Sequence, residues 1–188
     1  MKMFKSVLLV GSASAVFFGA ALYVTPNLET FAGTSAHGPF SARVIDGDTL
    51  ADGALKYRFV GVDACEMGQP IDFEGDAKPL DCGFYAKSFV EQFIGENKVI
   101  CYDQGTKSYD RIVARCFLAV EDGVGPSIEN DIGAFALHSG WAVATEHAKG
   151  MFAFRYIYEE LAAKVSLRGA WNGRTMKPIE WRRSLSEG

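Results

Sequence analysis

The residues able to do chemistry are concentrated in Val44-Ile45-Asp46-Gly47-Asp48-Thr49 and, after a short gap, Tyr57-Arg58-Phe59-Val60-Gly61-Val62-Asp63-Ala64-Cys65-Glu66. Asp48 is expected to begin one strand and Asp63 to end the strand joined to it by a hairpin. Two carboxylates so placed converge on one hard cation, which takes its oxygen ligands from Asp, Glu, carbonyls and water. Arg58 stands in an otherwise apolar strand, where a lone charge is costly unless something pairs with it. Its planar, always-charged guanidinium suits a phosphate. Glu66, three residues beyond Asp63, is close enough to hold a metal-activated water or take its proton. Arg111, at the start of a later strand, supplies a second clamp. Cation, water, acidic base and two arginines are what phosphodiester hydrolysis requires, because preplaced positive charge stabilises the phosphoryl group as the nucleophile arrives. Taken singly, each feature also has an ordinary reading: Asp-Gly-Asp makes turns, and a strand arginine is often half of a salt bridge. The specificity lies in their joint occurrence, order and spacing.

The elements that must position these residues are legible in outline. Strands are expected from Phe40 to Ile45, Thr49 to Ala51 and Leu55 to Val62, the last two joined across Asp52-Gly53, a strong hairpin signal. Residues 66–80 read as a long loop. Phe84, Ala86, Phe89, Val90 and Phe93 then recur at helical spacing, with Asp81 as N-cap and Gly95 as stop. Val99 to Tyr102 and Ile112 to Val120 form a further pair of strands around a turn at 103–108. Helices follow from about Pro126 to Ser139 and from about Phe152 to Leu167. Three strands, a helix, two strands and two helices suggest an α+β fold, mainly β, with a five-stranded OB-fold barrel. The aromatic residues, among them Phe84, Phe93, Trp141 and Tyr156, read as packing and not as a stacking platform. Trp181-Arg182-Arg183 reads as a solvated tail docked by its tryptophan.

The ends and the bulk composition bound the rest. With 188 residues, 48% of them hydrophobic and 22% charged, the chain has the make-up of one globular domain plus an N-terminal extension. Lys2 and Lys5 precede 19 residues without a charge, Ser6 to Val24, about the length of a hydrophobic membrane-spanning helix. Residues 1–24 are therefore expected to be a signal anchor or a signal peptide, 25–39 a linker and 40–183 the folded domain. Positive charge ahead of such a run stays on the cytoplasmic side, so either reading exports the domain. If uncleaved, the segment makes the membrane a partner. Beyond residue 36 the chain carries 17 basic and 22 acidic side chains, which argues against extended duplex binding but not against a local positive pocket. Cys65, Cys82, Cys101 and Cys116 are spaced 17, 19 and 15 apart without a CxxC pair. That pattern suits two disulfides in an exported domain better than a zinc site. Cys101 and Cys116 flank the second hairpin, which would leave Cys65 with Cys82. Three connectivities are open, and sequence does not choose among them.

From about residue 41 to 172, ending in Gly169-Ala170-Trp171, the chain resembles the staphylococcal-nuclease family. The family's V-I-D-G-D-T matches Val44–Thr49, its R-x-x-x-V-D-x-x-E matches Arg58, Val62, Asp63 and Glu66, and its Y-G-R matches Tyr109-Asp110-Arg111. The resemblance implies calcium held by Asp48, Asp63 and the backbone carbonyl of Ala64, with Glu66 as general base. Arg58 and Arg111 would bind the scissile phosphate, and Tyr109 would hydrogen-bond a neighbouring one. It further implies hydrolysis of DNA and RNA, preferably single-stranded or denatured, to 3′-phosphate ends. Departures from the pattern are Ala64-Cys65 for Thr-Pro, Asp110 for Gly beside Arg111, and Thr145-Glu146-His147-Ala148 where the family stacks a base on tyrosines. Since stacking contributes about 1–3 kcal/mol per base, substrate grip is expected to be weaker or differently selective. The alternative is a non-catalytic OB-fold binding module that keeps the constellation as a relic. Nothing in the sequence points to a protein partner.

Overall fold

The computed structural model describes residues 35–119 and 128–187. The expected N-terminal apolar helix and residues 25–34 of the linker lie outside them. Among the described residues the strands are β1 Ser35–Phe40, β2 Arg43–Asp46, β3 Thr49–Asp52, β4 Leu55–Phe59, β5 Val62–Ala64, β6 Pro70–Ile71, β7 Leu80–Asp81, β8 Lys98–Ser108, β9 Arg111–Ala119 and β10 Ala142–Ala144. The α-helices are α1 Cys82–Ile94, α2 Ile132–His138, α3 Met151–Val165 and α4 Pro178–Ser186. The fold is α+β and mainly β.

Six strands form the main sheet in the order β1-β8-β9-β4-β3-β2, and β10 pairs with β5 in a separate ladder. β4 and β9 run parallel, with Arg58 opposite Val113; the other neighbours in the main sheet are antiparallel. The β3–β4 hairpin turns at Gly53-Ala54, with Asp52 paired to Leu55 and Gly53 at φ +55°, the left-handed region that a tight two-residue hairpin loop uses. One face of the sheet is closed by α1, whose N-cap Asp81 accepts a hydrogen bond from the Phe84 amide and whose run ends at Gly95. Capping oxygens of this kind satisfy amides the helix itself leaves unpaired. The core joins Leu50, Tyr57, Phe59 and Val62 of the strands to Ala86, Val90 and Ile94 of α1 and to Ile132, Leu137 and Trp141. Phe93 stacks on Phe135 at 4.0 Å and Tyr85 on Trp141 at 5.1 Å, so these aromatics do pack.

Several expectations change. The main sheet has six strands where a five-stranded barrel was expected, and among the described residues its end strands β1 and β2 are not hydrogen-bonded to each other. The sixth strand, β1, comes from a stretch read as linker: its small residues show no alternation, yet it pairs with β8 from Ser35–Asp103 to Phe40–Val99. Residues 103–108 continue β8 instead of turning, with a register shift between Asp103 and Lys107, and the turn falls at Tyr109-Asp110. Of the helix expected from Pro126 to Ser139, residues 126–127 lie outside the described residues, and the rest forms a 3-10 turn at Ile128–Asn130 and a shorter helix, Ile132–His138. A fourth helix, α4, occupies the stretch read as a tail.

The cysteines pair as Cys65–Cys82 and Cys101–Cys116. The second bridge joins residues directly opposite in the β8–β9 ladder. Each closes a loop of a size for which about 3 kcal/mol of stabilisation is typical. Two disulfides fit an oxidising, extracytoplasmic environment. Among the described residues no helix is long and apolar enough to cross a membrane.

Behind the sheet lies a buried polar cluster. Asp131 caps α2, accepting a hydrogen bond from the Ala134 amide, and takes the Tyr156 hydroxyl at 3.2 Å to each carboxylate oxygen. The Arg115 guanidinium lies 3.3 Å from the centre of the Phe152 ring. Burial pushes the Asp131 carboxyl up to about 6, against the pull of the Ala134 amide and Arg115. A raised folded value means that stability is greatest below the unfolded carboxyl's value and is lost as pH climbs through about 6. Asp131→Asn keeps an N-cap oxygen but cannot ionise. Relative to the wild type it should therefore gain about 1–3 kcal/mol between pH 4 and pH 7, measured by urea unfolding of both proteins at the two pH values.

Candidate functional site

The site forms where β3, β4 and β5 meet the start of α1. Gly47 makes the approach possible: a Cβ there would lie 2.6 Å from that of Ala64 and 2.7 Å from that of Ala86 in α1. The chain therefore passes tightly under the helix and delivers Asp48 to the interior. Asp48 is buried and its two oxygens are fully engaged. Oδ1 accepts from Thr49 Oγ1 at 3.0 Å and from Arg58 Nη1, while Oδ2 accepts from the Ala64 amide at 2.9 Å. Burial pushes its carboxyl upward, and Arg58 and the Ala64 amide pull the other way. Three donors around two oxygens are the surroundings of an ionised carboxylate.

Arg58 reaches across from β4 with its other nitrogen, donating to Asp63 Oδ1 at 2.8 Å. Its side chain is 18% exposed. One planar fork thus joins two buried carboxylates. Glu66 is half-buried at the rim, and two contacts fix its backbone. Its amide donates to Gln69 Oε1 at 3.0 Å, and Gly83 of α1 lies against it so closely that a Cβ would fall 2.3 Å from the Glu66 carbonyl. The Cys65–Cys82 bridge ties the same loop to the helix.

Arg111 enters from β9, beside β4. Its Nη1 donates to Thr49 Oγ1 at 3.3 Å and its Nη2 to Ser108 Oγ at 3.3 Å, so a hydroxyl relays it to Asp48. Asp110, which the sequence set beside Arg111, turns instead to Lys56 at 2.7 Å, and that hydrogen bond holds its carboxyl below the usual range. Tyr109 is 93% exposed at the turn, with φ +59°, and does not join the cluster. Ala64 does, in backbone: its residue is buried between Asp48 and the β5–β10 ladder.

Arg182 was missed by the sequence reading. From α4 its Nη1 and Nη2 donate to Asp63 Oδ1 and Oδ2 at 2.9 and 3.0 Å, and Nη1 also donates to Glu66 Oε1 at 2.5 Å. These hydrogen bonds, Asp63's first, drive the guanidinium further into its charged form. The tail is therefore part of the site.

Next to these residues opens a groove of about 1010 Å³. Arg58, Lys107, Arg115, Lys149, Lys177 and Arg182 line it, against the acids Asp63, Glu146 and Glu160. The acidic chain thus carries a locally positive groove.

No family model matches the chain, and no curated protein matches it.

Among the described residues no three side chains of His, Cys, Asp or Glu gather as a metal cage. The donor set around Asp48 and Asp63 is instead two carboxylates with main-chain carbonyls nearby, which fits a hard ion that keeps water ligands. Arg58 pairs with Asp48 and Asp63, and Arg182 with Asp63 and Glu66. Removing the buried partner of an ion pair typically costs 3–5 kcal/mol. Arg58→Ala should therefore lower the unfolding free energy by about 3–5 kcal/mol, and Arg58→Lys by less, both read from denaturant unfolding of the oxidised protein.

Proposed function

We propose that the chain is an exported, calcium-dependent nuclease of the staphylococcal-nuclease type, its sheet an OB-fold barrel, cleaving DNA and RNA to 3′-phosphate ends. The observation that carries this reading is the convergence of Asp48, Arg58, Asp63 and Glu66 at the edge of a cation-lined groove. These residues stand in the order and spacing that the motifs imply.

The roles follow from position. Asp48, Asp63 and the Ala64 carbonyl would hold calcium, which when bound supplies positive charge at the phosphate and acidifies water. Glu66, at the rim and partly open to solvent, is the group able to orient a water and accept its proton. Arg58, in the floor, and Arg111, on the adjoining strand, present guanidiniums to the phosphate and offset the charge that builds on it. Tyr109 projects into solvent at the β8–β9 turn, where a neighbouring phosphate of an extended strand would pass. The groove's lysines and arginines would hold the remaining backbone, and its open shape suits single-stranded or denatured substrate. Thr145, Glu146 and His147 line the groove where stacking tyrosines would stand, so base contacts contribute less than phosphate contacts.

A second reading, a non-catalytic binding module, draws on the fact that both oxygens of Asp63 are already bonded to arginine. One assay separates the two. The oxidised full-length protein at millimolar calcium should cut single-stranded DNA and RNA and leave 3′-phosphates, and Glu66→Gln should cut at least about 100-fold more slowly with an unchanged melting temperature. No cleavage by the wild type, or equal rates for the variant, would sink the nuclease reading.

A further inference from the structure

Arg182 has no part in the chemistry just assigned, yet it holds two of the residues on which that chemistry depends. Its fork covers both oxygens of Asp63 and reaches Glu66. Any cation that binds Asp63 must take oxygen atoms that this guanidinium now occupies. The two site arginines differ in freedom: Arg58 is 18% exposed, within a strand of the main sheet, whereas Arg182 is 41% exposed, on the last helix.

The way α4 is mounted makes the contact more than a chance meeting of a surface side chain. Gln69, fully buried, donates from Nε2 to Thr175 Oγ1 at 2.9 Å and to the Met176 carbonyl at 2.8 Å. Thr175 in turn donates to the Pro70 carbonyl at 2.7 Å, and Asp72 bridges to Arg174. Pro178 is buried at the first turn. The entry to the helix is thus anchored, while Ile179 and Leu185 are exposed. Beyond its anchored start, α4 is tied to the site through Arg182.

We propose that Arg182 is a resident counter-cation: α4 keeps its guanidinium on Asp63 and Glu66, and a divalent cation binds only as Arg182 is displaced. The C-terminal helix is then a self-inhibitory plug, and cation binding and helix release are one equilibrium. This rests on the metal-dependent reading of the site. By linkage, a state that must first open binds its ligand more weakly by the fraction that is open, and whatever the cation gains from opening, opening gains from the cation.

The test uses the full-length oxidised chain and calcium alone, by titration calorimetry. Arg182→Gln should tighten calcium binding about tenfold or more, which corresponds to 1.4 kcal/mol. Arg183→Gln, which removes the same charge from the next position of the helix, should leave it within about twofold. In the wild type, calcium should also speed hydrogen exchange of the amides of residues 178–186. Unchanged or weaker binding by Arg182→Gln would overturn the proposal, and so would equal tightening by Arg183→Gln, which would mark a general charge effect. If wild type and Arg182→Gln are both folded and neither binds calcium, the metal reading itself falls and the plug with it. Binding by the variant alone would support the plug.

Discussion

The site depends on a single planar cation caught between two buried acids. Arg58 lies in an interior strand; Asp48 comes to it from the turn between β2 and β3, and Asp63 from β5. None of the three is tolerable there alone, because desolvating an unpaired charge costs more than packing returns. Their mutual presence fixes the local geometry. The Asp48 backbone carbonyl accepts from the Phe59 amide at 2.8 Å while its side chain reaches the Ala64 amide, so main chain and side chain enforce one register. Gly47 and Gly83 allow α1 to press onto this arrangement from outside.

Charge is distributed unevenly, and the unevenness reconciles two facts that look opposed. The chain is acidic, with a net charge of −4, yet the groove beside Arg58 is lined by more cations than anions. The acid is spent elsewhere or satisfied locally. Asp110 is tied to Lys56, Glu159 lies between His138 and Arg155, and Asp131 is enclosed with Tyr156. A polyanion approaching the groove meets a field different from the one that net charge describes.

What the sequence disclosed was what local rules govern. The hairpin turn at Gly53 and the Asp81 cap and Gly95 stop of α1 are encoded within a few residues of where they act. Asp48, Arg58, Asp63 and Glu66 were legible because they stand within 19 residues of one another, although the strand expected from Leu55 to Val62 breaks after Phe59 and Asp63 lies on β5, which pairs with β10 instead. Arg182 was not: it meets Asp63 across 119 positions and Glu66 across 116, and a Trp-Arg-Arg run near the end of a chain has no periodicity to say which way it faces. β1 escaped notice for a related reason. Ser-Ala-His-Gly-Pro-Phe has neither alternation nor β-branched residues, and it is a strand only because β8 offers it a free edge. The number of strands and their order in the sheet are likewise properties of pairing between distant segments.

The bridge between Cys65 and Cys82 has one more implication. It sits beside Glu66 and pins the loop that carries it to the first residue of α1, so the order of that carboxylate is linked to the thiol–disulfide balance of its surroundings. Without the bridge the intervening residues regain the conformational freedom that it removes, and Glu66 is left with its hydrogen bonds to Gln69 and Arg182 and its packing on Gly83. The quality of the rim is thus written into one covalent bond, formed or open.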